Sequence, residues 1–104
     1  MVTGIPYSRD FQPIPIGFDE AYTKDMWPLE FVADVELKGS EEQPARVEVW
    51  ADTGSGMKKV QTRETRAWEI HSFCLILGEG FFSIEVRRVL GECNLLSVLA
   101  AFPQ

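Results

Sequence analysis

Two cysteines, a single histidine and no apolar run long enough to cross a bilayer set the first limits on this 104-residue chain. Cys74 and Cys93 stand far apart, and His71 is the only imidazole, so closely spaced zinc ligands are missing and no metal site is expected. A nucleophilic triad would have to use His71, which sits mid-run among apolar neighbours and reads as a structural residue. No Gly-rich phosphate loop precedes a helical pattern, and nothing calls for a cofactor. The apolar stretches fall short of the roughly 20 residues that a membrane-spanning helix needs, which gives no reason to expect a membrane partner. The first residues, MVTGIPYSRDF, lack a basic segment followed by an apolar core. The expected compartment is therefore the cytoplasm, with both cysteines as reduced thiols.

Positive charge is scarce as well. The net charge is −6, and residues 1–45 hold nine acids against Arg9, Lys24 and Lys38, while the remainder is balanced. An acidic first half argues against a phosphate-binding surface there. Lys58, Lys59, Arg63 and Arg66 make a small basic cluster, but Glu64 and Glu69 dilute it. It reads as a solvated loop and strand face, and no nucleic-acid partner is expected. Repeats and low-complexity tracts are absent.

What is present is apolar alternation. Leu29, Phe31, Ala33, Val35 and Leu37 share one face of a strand whose other face carries Glu30, Asp34 and Glu36. Residues 38–44 form a polar turn. Residues 46–52 make the next strand, with Val47 and Val49 inward and Arg46, Glu48 and Trp50 outward, and the two strands read as a hairpin. Residues 52–56 are a tight connection, 57–62 a short strand and 63–66 a turn. The central feature is 68–90, two apolar-rich runs joined by Gly78-Glu79-Gly80, which the glycines favour as a hairpin loop. In the first run Trp68, Ile70, Cys74 and Ile76 share one face, and His71, Phe73, Leu75 and Leu77 the other. A run apolar on both faces is either a central covered strand or one whose outer face meets another subunit. In the second run Phe82, Ile84 and Val86 alternate with polar residues. Arg88 falls on the apolar row, so it must snorkel, pair with a carboxylate or mark a bulge. Residues 91–94 read as a turn, and 95–102 as a buried strand or a short helix. Before the core, Asp19 is a candidate cap for one or two helical turns over 19–26, ended by Trp27-Pro28. Residues 1–17 form a proline-rich arm, too apolar for solvent, that lies across the domain or a neighbouring subunit.

One tripeptide carries chemical meaning. Asp52-Thr53-Gly54 follows the apolar strand VEVWA and resembles the active-site turn of retroviral-type aspartic proteases. There a pair of Asp residues shares a proton across a homodimer axis. Val89-Leu90-Gly91, followed by Asn94-Leu95-Leu96, is similar to the element that precedes that family's C-terminal helix. The resemblance implies a homodimeric protease with Asp52 as its catalytic residue. Asp and Gly are equally the residues a hairpin turn prefers, and only 36 residues lie between Gly54 and Gly91. The strand rhythm is also loosely similar to immunoglobulin-type accessory modules of carbohydrate enzymes, a likeness that would give Trp27, Trp50 and Trp68 sugar-stacking roles.

Together these readings predict one domain over 1–104, with an arm at 1–17 and a β core at 27–102. The expected fold is mainly β, an antiparallel β sandwich or partly open barrel with at most two short helices. The expected core includes Phe31, Val35, Val47, Val49, Phe82, Ile84 and Val86. The expected function is a small binding or assembly module acting as a homo-oligomer, since the arm, residues 73–77 and residues 95–102 offer more apolar surface than a short chain can cover. Trp50 and Trp27 are the candidate binding residues, no catalytic residue is assigned, and the protease through Asp52 is the alternative.

Overall fold

The computed structural model describes residues 10–26, 29–52, 54–78 and 80–101. They form eight strands: β1 (Gln12–Pro13), β2 (Ala21–Met26), β3 (Leu29–Lys38), β4 (Ala45–Asp52), β5 (Lys58–Thr65), β6 (Trp68–Leu77), β7 (Gly80–Leu90) and β8 (Glu92–Ala101). Two four-stranded antiparallel sheets pack face to face, in the orders β1-β8-β3-β6 and β2-β7-β4-β5, and do not close into a barrel. The expected β sandwich is thus the fold. Among the described residues only β4 and β5 are consecutive strands in one sheet; every other connection crosses between sheets. Eight strands in this order make a jelly roll.

The alternation places the core as expected. Phe31, Val35, Val47, Val49, Ile84 and Val86 are fully buried, joined by Phe73 and Leu37. The Phe82 side chain lies outside the described residues. His71, Phe73, Leu75 and Leu77 face inward from β6, while Trp68, Ile70, Cys74 and Ile76 face out. Residues 95–101 belong to β8, which settles that run as a strand.

Five expectations are corrected. Residues 68–77 and 80–90 are strands, yet they do not pair: β6 lies beside β3 and β7 between β2 and β4. Likewise β3 and β4 are no hairpin, because they sit in opposite sheets. Strands that face each other across a core carry the same alternation as strands lying side by side, so the pattern fixes faces and not partners. The helical turns at 19–26 are instead a bend and β2. Asp19 adopts a positive φ of 62° and its N–H donates to the Val86 carbonyl, which turns the chain onto β7 rather than capping a helix. The connection expected at 63–66 shifts to Arg66–Ala67, and the turn at 91–94 shrinks to Gly91. Gly91 has φ 76°, and a Cβ there would lie 2.5 Å from the Pro44 carbonyl oxygen. Only glycine fits so close a crossover.

The described part of the arm packs on its own chain. β1 extends the sheet beside β8, Ile14 is buried, and Ile16 and Phe18 lean on the core. Arg88 sits where the β4–β7 register shifts, the bulge being one of the outcomes its position required, and its guanidinium rests 5.6 Å from the Phe18 ring centre.

Candidate functional site: the edge strand β6 and the outer face beside it

Bulges explain much of the exposed apolar surface. The β3–β8 register skips Leu96, the β4–β5 register skips Val60 and the β4–β7 register skips Val89. Each skipped residue is pushed outward, and all three are exposed large hydrophobics. The remaining ones are Phe11 and three residues of a single strand: Trp68 at 67%, Ile70 at 64% and Ile76 at 67% exposed. These three lie on β6, which pairs with β3 over ten consecutive positions without a shift. Their exposure therefore does not come from irregular backbone.

β6 is the end strand of its sheet, with one side unpaired among the described residues. The other three end strands carry features that discourage further pairing. β1 is two residues long and contains Pro13. β2 has only six residues. β5 carries Lys58, Lys59 and Arg63 and is bent by the bulge at Val60. β6, read WEIHSFCLIL, has ten residues, no lysine, no arginine and no proline. Gln61 Nε2 on β5 covers part of it, donating to the Cys74 carbonyl at 3.2 Å. Gln61 reaches from the opposite sheet, so this carbonyl points away from β3. Backbone groups alternate sides along a strand, so Ile70, Ser72, Cys74 and Ile76 turn their N–H and C=O groups to the open edge.

The outer face beside β6 is polar in ordered rows. Glu36 on β3 accepts from Trp68 Nε1 at 2.6 Å and from Asn94 Nδ2 at 2.8 Å. These donors, Asn94 first and Trp68 next, hold its carboxyl below the ordinary value of 4.5. Asp34 accepts from the hydroxyls of Ser72 and Ser97. Lys38 pairs with Glu92 at 3.4 Å and stands 4.9 Å from the Trp68 ring centre. Among the described residues four acids, Glu30, Asp34, Glu36 and Glu92, share this face with one cation, Lys38. Neutral donors satisfy the carboxylates without cancelling their charge, so the face stays anionic.

The outer face of the second sheet is sealed differently. Glu48 is only 8% exposed and lies 3.8 Å from Arg46 and 3.7 Å from Lys59. Trp50, a candidate binding residue, donates from Nε1 to Glu48 at 2.9 Å and is covered by Arg87, 4.1 Å from its ring centre. Its indole is half-buried and engaged within its own sheet. Trp27 lies outside the described residues.

Asp52 ends β4 and braces the β4–β5 hairpin. Its Oδ1 accepts from the N–H groups of Gly54 at 2.7 Å and Gly56 at 3.1 Å, and both glycines have positive φ. His71 Nε2 lies 2.7 Å from Glu69 Oε1, and this contact, ahead of one from Thr65, lowers the Glu69 carboxyl. Burial raises the Cys93 thiol, whereas Cys74 is exposed. In the basic cluster Lys59 pairs with Glu48, Arg63 lies 5.1 Å from the Phe73 ring centre, and Arg66 donates to the Glu41 carbonyl. An open groove of about 390 Å³ between residues 13–17 and β8 is lined by apolar side chains and Ser97, without a titratable group. Among the described residues no three His, Cys, Asp or Glu side chains gather as a metal would require, and no helix is long and apolar enough to cross a membrane.

Trp68, Ile70 and Ile76 are the residues that sequence reasoning did not assign to a site. A signal was there: residues 68–77 lack the lysines and arginines that crowd 58–66. Set against known proteins, the chain matches no family model and no curated sequence.

Proposed function

We propose that this protein is a small assembly module, a homo-oligomer joined through the open edge of β6, without catalytic chemistry of its own. The observation that carries the reading is that the longest and most regular end strand is also the least protected one. Unpaired N–H and C=O groups along a flat, apolar edge form a template for another strand. Cross-strand side-chain pairs contribute roughly 0.2–1 kcal/mol each beside the backbone hydrogen bonds. Set against the roughly 4–15 kcal/mol cost of association, a single edge contact leaves little surplus. The reading therefore implies reversible assembly rather than an obligate complex.

The competing reading, a homodimeric aspartic protease, would place Asp52 at a subunit axis. The two backbone N–H groups held by Asp52 support its role as a turn brace.

Light scattering over a concentration series tests the proposal. The expected mass is a dimer or higher at micromolar concentration. Ile70→Lys, which gives β6 the kind of charge β5 carries, is expected to yield the monomer with an unchanged fold. A wild-type monomer mass that persists on concentrating the protein contradicts the proposal.

A further inference from the structure

Resting on that assembly reading, we infer that the partner strand is β6 of a second copy, antiparallel, with the two-fold axis at Ser72. The open edge presents the backbone groups of Ile70, Ser72, Cys74 and Ile76, as the Gln61 contact marks. Even-numbered residues must then face even-numbered residues, because in an antiparallel ladder two residues that point at each other exchange both hydrogen bonds. Of the registers that satisfy this, one centred on Ser72 and one centred on Phe73 overlap the most residues of β6. The Phe73 centre would leave Trp68 facing Gly78, beyond the end of the strand. The Ser72 centre sets Trp68 against the partner's Ile76 and Ile70 against the partner's Cys74, so every outward apolar side chain of the strand has an apolar neighbour.

Charge favours edge pairing over stacking of the outer faces. The outward row Trp68, Ile70, Ser72, Cys74 and Ile76 carries no ionisable carboxylate or cation. On the inner side Glu69 meets the partner's Leu75, not a second Glu69. Stacking the two outer faces on each other would instead bring Asp34, Glu36, Glu30 and Glu92 against their own copies, which like charges oppose. Edge-to-edge pairing avoids that contact. Gln61 must release the Cys74 carbonyl, but its own Oε1 is buried without a hydrogen-bond partner while it stays there. Release returns the whole amide to water.

Cysteine cross-linking reads the register. Paired residues of this kind have Cα atoms about 5.5 Å apart, within the roughly 4.4–6.8 Å span of a disulfide. Ile70→Cys with native Cys74 is expected to form a covalent dimer under mild oxidation with copper phenanthroline. Ile70→Cys combined with Cys74→Ser should not, and neither should the wild type, whose two Cys74 residues stand four positions apart along the ladder. Ser72→Cys in a Cys74→Ser background should cross-link to its own copy. Because Ile70 and Ser72 are both exposed, the fold is expected to survive, which circular dichroism checks. A dimer by mass that cross-links in the wild type through Cys74, or in none of these variants, overturns the register and leaves the assembly reading standing. A monomer by mass overturns the assembly reading itself.

Discussion

β5 and β6 follow one another in the chain, touch through Gln61–Cys74 and Arg63–Phe73, and end their sheets in opposite ways. β5 meets water with Lys58, Lys59 and Arg63 and breaks its ladder at Val60. β6 meets it with Trp68, Ile70 and Ile76 on an unbroken ladder. The same sandwich supports both, so protection of an edge is a property of residues rather than of topology. Charge and a bulge close one edge; their absence leaves the other open.

The comparison breaks most completely at Phe73. This ring is fully buried under β6 and carries the Arg63 guanidinium of β5 on one face. Phe73→Ala is expected to cost about 3–5 kcal/mol of stability, measurable by urea unfolding, and to loosen both edges together. A loss under about 1 kcal/mol would mean that Phe73 does not anchor the corner.

Acid sharpens the comparison on the β6 side. The Glu36 carboxyl lies below its ordinary value in the folded chain, because Asn94 and Trp68 donate to it. A depressed carboxyl contributes stability above the unfolded value near 4.5, and that contribution fades as pH falls through the lower folded value. Glu36→Gln is therefore expected to flatten the decline in stability below that pH. An acid limb identical to the wild type in urea titrations would show that these hydrogen bonds do not discriminate between the charged and neutral acid.

The smallest effect is expected where β4 ends, at the turn into β5. Asp52→Asn keeps an Oδ1 acceptor for Gly54 and Gly56, so stability and mass should change little. Peptide hydrolysis at acidic pH that disappears in this variant would instead promote Asp52 to a catalytic residue.

Much of this fold is legible in the order of residues alone. The alternation of Phe31, Val35, Val47, Val49, Ile84 and Val86 marks strands and their inner faces, since burial on one side imposes a period of two. What the alternation does not carry is which strand lies beside which. Gly78 and Gly80 suit a hairpin loop, yet β6 and β7 lie in different sheets, and Leu37 and Val47 belong to opposite sheets rather than to one ladder. The site is hidden for the same reason. Trp68, Ile70 and Ile76 alternate like a row covered by a neighbouring layer, yet they lie on the uncovered outer face of an end strand. Trp50 stands out because it lies among charged residues, and those residues, Glu48 and Arg87, are what engage it.

Amide hydrogen exchange tests the open edge most directly. If β6 pairs with a second copy, the N–H groups of Ile70, Ser72, Cys74 and Ile76 should be protected at concentrations where the protein is assembled. They should exchange rapidly on dilution and in Ile70→Lys, while the outward amides of β5 stay fast throughout. Rapid exchange at these four positions in the assembled protein would contradict the claim that β6 is the edge through which copies of this chain join.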